Sequence, residues 1–179
     1  MHDELSTEKR SQRRTLLVIG SNPPTTSGQR TLGRVDLARL ALGFEHVELR
    51  NLFGLPTYRT DGISLAGISE VGWQEARPPL QLALDTAAAV LMAYGTTKPS
   101  GAAAQHYVEQ VAWIEQQVSD RGLDVWTVGG APRHPSRWQR YTYRVHPGVP
   151  FSDALLASLE VRRARTTERA CRSGLAPDW

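Results

Sequence analysis

The sequence lacks the residues that several classes of protein and site require. It has a single cysteine, Cys171, which excludes an internal disulfide framework and a zinc site built from several cysteines. No apolar run approaches the roughly 18 residues of a membrane span, and the first 14 residues contain no apolar stretch typical of a signal peptide. We therefore expect a soluble, cytoplasmic protein with no membrane partner.

Several well-known site motifs are also absent. There is no Gly-x-x-x-x-Gly-Lys-Ser/Thr phosphate loop, and no Gly-x-Gly-x-x-Gly follows the first apolar run. There is no His-Glu-x-x-His and no His/Cys cluster with zinc-binding spacing. The ends of the predicted strands carry neutral amides and an imidazole instead, which favours a site that acts through hydrogen bonds.

Lysine is scarce, and arginine carries most of the positive charge. Only Lys9 and Lys98 are lysines, so 19 of the 21 cationic residues are arginines. Segment 129–144 contains four of these arginines, no acid, and several aromatic residues. Guanidinium groups that bind phosphates, beside rings that stack on bases, are typical of a nucleic-acid surface. The alternative is a solvated loop whose aromatic side chains turn into the core.

The apolar pattern alternates between strand and helix, which predicts an α/β fold. Short apolar runs predict four strands, at 15–19, 47–49, 87–94 and 125–128. Helical spacing predicts helices at 30–42, 73–86 and 103–120, and a last helix capped by Ser152. We expect one domain over 15–164, with a central parallel four-stranded sheet and helices on both faces. A disordered basic tail, 1–14, precedes it, and an Arg-rich tail, 165–179, follows it.

Polar residues follow three of the predicted strands. Asn22 and Pro23 come after the first strand, Asn51 after the second, and His134 after the fourth. In parallel α/β sheets the ligand site lies beyond the carboxyl ends of the strands. We therefore expect these side chains to converge.

These residues carry a resemblance to a known group of enzymes. Gly20-Ser21-Asn22-Pro23-Pro24 resembles the first motif of the uracil-DNA glycosylase superfamily, closest to its mismatch-specific branch with Gly-x-Asn-Pro-Gly. Asn51 matches the superfamily's base-reading Asn, and His134-Pro135-Ser136 resembles its His-Pro-Ser motif. The chain is also similar to a bacterial family with Asn-Pro-Ser/Thr, Asn-Leu-Phe and Pro-x-His-Pro motifs. The resemblance covers about residues 15–140.

The resemblance implies a monofunctional DNA glycosylase with a uracil-DNA-glycosylase-like fold, which needs no metal and no organic cofactor. Such an enzyme flips a pyrimidine out of DNA and hydrolyses its N-glycosidic bond, which leaves an abasic site. It implies two catalytic residues: Asn22, whose side-chain oxygen orients a water, and His134, which donates to the departing base. The implied base-binding residues are Ser21, Pro23, Asn51 and Phe53.

The resemblance also implies a DNA-binding face next to the His-Pro-Ser motif. In this superfamily a side chain just after that motif enters the duplex as a wedge, and here Arg137 or Trp138 occupies that place. The implied DNA-binding residues are Arg133, Ser136, Arg137, Trp138 and Arg140. We expect a monomer whose partner is DNA.

The chain departs from the most uracil-selective members, which have Asp and Tyr around the motif's Pro. Asn22 and Pro24 occupy those places here. Loss of the Asp predicts slower chemistry, and loss of the Tyr predicts a roomier pocket. Such a pocket would admit a base bulkier than uracil, such as thymine or a hypermodified cytosine, so all three are candidate substrates, and the last points to defence against phage DNA.

Other interpretations of the same residues stay open. Asn22, Asn51 and His134 are also typical of loop and turn residues, and Phe53 is typical of a core residue. Two other functions fit the pattern: hydrolysis of free nucleosides or nucleotides, and a sensor that binds modified bases in DNA without cleaving them.

Overall fold

Strands and helices alternate along the chain around one sheet. The computed structural model describes residues 14–57 and 62–164. Within these residues the strands are β1 (Thr15–Gly20), β2 (His46–Asn51), β3 (Ala89–Met92), β4 (Asp124–Val128) and β5 (Leu159–Arg162). The helices are α1 (Gln29–Leu42), α2 (Gly62–Ala66), α3 (Val71–Thr86), α4 (Ala103–Asp120), α5 (Pro135–Val145) and α6 (Phe151–Ser158).

The sheet has five strands in the order β2-β1-β3-β4-β5 and is mixed rather than wholly parallel. The first four strands are parallel, and β5 pairs antiparallel with β4, with Trp126 opposite Val161. The predicted four-stranded parallel sheet is therefore wrong by one strand. The strand β5 has only four residues and follows directly on α6. Its first residue, Leu159, continues the helical spacing of the leucines in α6, so the sequence pattern indicates a longer helix rather than a strand.

Two apolar layers cover the two faces of the sheet. The central strand β1 is buried on both sides, because Leu17 and Ile19 belong to one core cluster and Leu16 and Val18 belong to the other. Helices α3 and α4 supply the first layer, and α1, α5 and α6 pack together over the second. A strand buried on both faces has to be apolar throughout, which is why residues 16–19 form an uninterrupted run.

The predicted helices correspond to α1, α3, α4 and α6, with differences at their ends. Helix α3 begins at Val71, so Pro78 and Pro79 lie inside it rather than in its first turns. Both prolines are exposed, so water can satisfy the carbonyls that lose an N–H partner. Ser152 is not the cap of α6, because Pro150 occupies that position and the helix already begins at Phe151.

The basic segment 129–144 contains a helix, although none was predicted there. Helix α5 covers most of it, with His134 as the N-cap and Pro135 in the first helical position. A capping side chain followed by proline is a known start signal for a helix. The pattern was obscured because polar residues outnumber apolar ones, and only Pro135, Trp138 and Thr142 are buried.

The two predicted tails lie outside the described residues, apart from Arg14 in the first of them. The single cysteine, Cys171, lies outside them as well. In the part of the chain that the structure describes, no helix is long and apolar enough to cross a membrane.

Candidate functional site

The carboxyl ends of the four parallel strands lie along one edge of the sheet. Backbone hydrogen bonds continue beyond the strands there and hold the connecting loops together. Leu52 N–H donates to the Gly20 carbonyl at 2.8 Å, and Gly95 N–H donates to the Pro132 carbonyl at 2.6 Å. The loops that follow β1 and β2 are thereby joined, as are those that follow β3 and β4.

A cleft of about 870 Å³ opens at this edge, between the loop after β3 and helix α5. We call it the arginine cleft. Its lining residues are Tyr94, Gly95, Thr96, Thr97, Arg133, His134, Ser136, Arg137, Arg140, Tyr141, Arg144 and Val145. No acid is among these described residues, so the cleft favours an anionic ligand.

Helix α5 supplies most of the positive charge. Arg137, Arg140 and Arg144 are three or four residues apart, so they share one helix face. All three are exposed, and none forms an ion pair with another described residue. Their guanidinium groups can therefore bind phosphate oxygens without first breaking an internal contact.

Arg133 differs from these three because its guanidinium group is hydrogen-bonded to backbone carbonyls of the protein. It donates to the Val128 carbonyl at 2.6 Å and to the Gly129 carbonyl at 2.7 Å. It also stacks on the Tyr141 ring, with its central carbon 4.0 Å from the ring centroid. Arg133 lines the cleft, but its main contacts hold the turn after β4 in position.

The His134 ring is oriented by the start of its own helix. The Ser136 N–H donates to His134 Nδ1 at 3.2 Å, and the Ser136 hydroxyl lies 2.9 Å from the same atom. Because Nδ1 accepts from a backbone N–H, the proton of the neutral ring is on Nε2. Ser136, predicted to bind DNA, thus sets the tautomer of His134.

Burial and nearby arginines keep His134 neutral. Burial is the largest cause of its lowered pKa, and the positive charges of Arg137 and Arg34 lower it further. A neutral imidazole with its proton on Nε2 can donate one hydrogen bond to an oxygen or nitrogen in the cleft.

Arg34 is a site residue that the sequence did not indicate. It lies on α1, and it donates to the Pro135 carbonyl at 3.0 Å and to Gln139 Oε1 at 3.0 Å. It therefore anchors the start of α5 to a helix about 100 positions earlier. No local pattern marks such a contact, because it depends on how α1 and α5 pack.

Asn22 lies just beyond β1 and is held by its side-chain nitrogen. Nδ2 donates to Thr57 Oγ1 at 2.9 Å, to the Thr57 carbonyl at 3.3 Å and to the Pro23 carbonyl at 3.1 Å. Carbonyl oxygens only accept, so this network identifies the nitrogen and leaves Oδ1 facing the other way. Asn22 and Pro23 are half-buried and do not line the arginine cleft.

Asn51 ends β2, opposite Gly20 in the register of the sheet. A Cβ at Gly20 would lie 2.7 Å from Asn51 Oδ1, so this carboxamide packs against the glycine backbone. Ser21 is buried and lines a recess of about 20 Å³ that shares Tyr94 and Thr97 with the arginine cleft. Ser21 thus borders the cleft, whereas Asn51 is not among its lining residues.

Two aromatic residues predicted to contact DNA are in the core. Phe53 is fully buried, and its ring packs against Gly72 and edge-on to Trp73, with centroids 4.8 Å apart. Trp138 is also fully buried, and its Nε1 donates to the Arg133 carbonyl at 2.6 Å. The predicted contact of Phe53 with a base and the predicted wedge role of Trp138 are therefore wrong, because neither ring has an exposed face.

The described residues do not bring together a metal site. No group of three or more His, Cys, Asp or Glu side chains converges within 14–57 and 62–164. The site instead combines one imidazole, four arginines and the hydroxyl groups of the loop after β3.

Comparison of the chain with protein-family models, with curated proteins and with solved structures found no match.

Proposed function

We propose that this protein is a monofunctional DNA glycosylase that removes a damaged or modified pyrimidine from DNA. The observation that carries the proposal is the position of His134. Its neutral ring lines an arginine cleft without acids, at the carboxyl ends of the strands. N-glycosidic cleavage places negative charge on the departing base, and this site offers it a hydrogen-bond donor.

The length of the arginine row favours a polynucleotide over a single nucleotide. Arg137 and Arg144 are seven residues apart, which corresponds to about 10 Å along an α-helix. Successive phosphates of one DNA strand are about 3.4 Å apart along the duplex axis. Three cations over that length match several phosphates, whereas a free nucleotide has one phosphate position to satisfy.

In the proposed reaction, His134 acts on the leaving group. Its Nε2–H donates to a carbonyl oxygen of the pyrimidine as the bond between the base and the sugar C1′ breaks. A water molecule adds to C1′, and its proton passes to solvent or to the departing base. The His134 ring is already oriented by Ser136, so little reorganisation is needed when charge develops.

Asn22 lies outside the lining of the arginine cleft, at the end of β1, and we propose that it positions the attacking water on a nucleotide whose sugar extends from the cleft toward that strand. Its nitrogen is bound to Thr57 and Pro23, so its side-chain oxygen has a set direction and can accept from a water. A carboxamide is not basic, so its contribution is orientation rather than proton removal. This role predicts slow turnover compared with an enzyme that has a carboxylate there.

The test is a panel of oligonucleotides containing uracil, mismatched thymine, 5-hydroxymethylcytosine or its glucosylated form. Alkali cleaves any abasic site, and the products are sized on a gel. We expect release of one base, reduced about 100-fold or more in His134→Ala, since one donor to the developing charge is lost. We expect a large loss in Asn22→Ala as well.

His46→Ala is the matched control. His46 is exposed at the start of β2, at the opposite edge of the sheet, so its loss should leave base release unchanged. If His134→Ala releases base as fast as His46→Ala, the proposed role of His134 is wrong. If folded wild-type protein releases no base from any oligonucleotide, the proposed activity is wrong.

One observation favours a second function, that of a non-catalytic sensor of modified bases. No carboxylate is among the described residues that line the cleft, so no strong general base borders it. A sensor would bind modified DNA tightly and saturably and would leave no abasic product. The same panel, read for binding and for cleavage, separates the two functions.

A further inference from the structure

Strand β5 forms a free edge of the sheet. The strand order places β2 at one edge and β5 at the other. An edge strand presents a row of unpaired backbone N–H and C=O groups, to which another strand can bind. Proteins commonly protect such an edge with a charged side chain or a covering segment. The two edges of this sheet differ in this protection.

Strand β2 is protected by one of its own side chains. The Leu52 N–H donates to the Gly20 carbonyl of β1, so the backbone groups of the even-numbered residues of β2 point to β1. Those of the odd-numbered residues point outward, and Arg50 donates to one of them, the Leu49 carbonyl, at 3.4 Å. The same guanidinium group pairs with Glu48. Arg50 therefore blocks the approach of another strand to β2.

The backbone hydrogen bonds around β5 show which of its groups point outward. The Gly129 N–H donates to the Ser158 carbonyl at 2.7 Å, just before the strand. The Ala164 N–H, just after it, donates to Asp124 Oδ1 at 2.8 Å. The even-numbered residues of β5 therefore point their backbone groups to β4, and Val161 points its N–H and C=O to the free edge. Neither group of Val161 has a partner among the described residues.

The charges of β5 are self-complementary about Val161. Glu160 and Arg162 flank it, and their side chains lie on the same face of the sheet. When a second copy of the strand pairs antiparallel with Val161 opposite Val161, each Glu160 lies opposite Arg162 of the second copy, which is favourable. A shift of two residues in either direction places Glu160 opposite Glu160 or Arg162 opposite Arg162, which is unfavourable. One register is therefore favoured over its neighbours.

Both charged side chains are available for such a contact. Glu160 is exposed and forms no ion pair with another described residue. The Arg162 side chain is 62% exposed and pairs with Glu115, and a guanidinium group has enough donors to bind a second carboxylate. On the other face of the sheet, Trp126 and Val161 lie opposite each other and are only half-buried. A second copy of the chain would cover apolar surface there as well.

We propose that β5 is the interface of a twofold-symmetric dimer, in which the β5 strands of two copies pair antiparallel about Val161. The two sheets then form one continuous sheet. Because the copies run in opposite directions, their arginine clefts open at opposite ends of it, and each copy can bind its own DNA. This inference differs from the monomer expected from the sequence and does not depend on the proposed activity.

Sedimentation velocity of the full chain without DNA tests the inference, from low micromolar to near-millimolar concentration. We expect wild-type protein to show a reversible equilibrium between monomer and dimer. Glu160→Arg and Arg162→Glu each place like charges opposite each other at both symmetric positions. We expect each variant to weaken dimerisation about tenfold or more. Circular dichroism verifies that both variants are folded.

A mixture of the two variants tests the register itself. In a mixed dimer the two arginines of one copy lie opposite the two glutamates of the other, so every like-charge contact is removed. With one variant fluorescently labelled, we expect a mixed dimer at least as stable as the wild-type dimer. This recovery cannot come from better folding of either chain, because neither variant dimerises strongly alone.

Glu48→Arg is the matched control, since it makes the same charge change in the other edge strand, beside an arginine at the same spacing. We expect it to leave dimerisation unchanged. The inference is overturned if wild-type protein is monomeric at every concentration, or if Glu48→Arg weakens the dimer as much as Glu160→Arg does. It is also overturned if the mixed variants fail to recover the dimer.

Discussion

At the scale of single residues, His134 has a place both in the fold and in the site, because it caps helix α5 and lines the arginine cleft. His134 Nδ1 caps helix α5 by accepting from the Ser136 N–H, and the same contact fixes the orientation of the ring and places its proton on Nε2. The cap needs the neutral ring, because a protonated Nδ1 cannot accept from the Ser136 N–H. Protonation of His134 therefore opposes folding.

This coupling predicts a pH dependence of stability. The pKa of His134 is lower in the folded protein than its ordinary value of 6.5, so the unfolded chain binds the proton more tightly. The stabilisation is fully present above pH 6.5 and is lost as pH falls through the lower, folded pKa. The free energy of unfolding is measured by urea denaturation between pH 7.5 and pH 5, beside His134→Asn, which caps the helix without titrating.

We expect the stability of wild-type protein, relative to His134→Asn, to fall as pH is lowered below about 6.5. Asp124, whose pKa is lowered mainly by the Ala164 N–H, contributes only at more acidic pH, below its ordinary value of 3.8. A constant difference between the two proteins across this range would contradict the proposed protonation of His134.

At the scale of elements, α5 combines two faces with different tasks. One face buries Trp138 and Thr142, and the other presents three arginines to the cleft. The helix is held by Arg34 from α1 and by Arg133, so its arginine face has a defined position relative to His134. Such a rigid row of charge favours binding over several phosphates at once.

The arginine row predicts the salt dependence of duplex binding. We expect the triple variant Arg137→Ala, Arg140→Ala, Arg144→Ala to weaken binding strongly. The slope of log affinity against log salt should become shallower by about two to three, since about one counterion is released per phosphate contact. Binding is measured by fluorescence anisotropy at several salt concentrations.

A control triple variant makes the same change in net charge at the opposite edge of the sheet: Arg14→Ala, Arg121→Ala, Arg163→Ala. These side chains form ion pairs there with Glu45, Asp85 and Asp124. Arg14 and Arg163 are exposed and Arg121 is half-buried, so loss of these ion pairs should destabilise the control only modestly and leave it folded. Equal effects of the two triple variants on duplex binding would show that net charge, rather than the row, governs affinity.

At the scale of the whole molecule, the two core layers share the central strand. Leu16 contacts one layer and Leu17 the other, and both are fully buried. Because β1 pairs with both β2 and β3, loss of either layer disturbs the strand that supports the other. The two layers should therefore unfold together.

We predict that Leu16→Ala and Leu17→Ala each lower the free energy of unfolding by about 2–5 kcal/mol. Leu82→Ala, at a leucine that is 71% exposed on α3, should change it by less than about 0.5 kcal/mol. Urea unfolding is followed by circular dichroism and by tryptophan fluorescence. Transitions that separate between the two probes would contradict a shared core.

The sequence by itself determined the α/β class, the four parallel strands and the positions of α1, α3 and α4. These depend on local periodicity, because an apolar run or a helical stripe is present in the chain before it folds. It also identified His134 and the row Arg137, Arg140 at the cleft. The strand β5 and the helix α5 were missed because a short strand and a mostly polar helix leave weak local patterns.

Only the tertiary structure decided which side chains face the cleft. An aromatic side chain can stack on a base or fill a core, and the sequence around Phe53 and Trp138 does not distinguish these roles. In the folded protein Phe53 packs against Gly72 and Trp138 packs against the turn after β4, so both rings are buried. Arg34 reaches the start of α5 only because helices α1 and α5 pack together. Such contacts join residues far apart in the chain, so no local pattern encodes them.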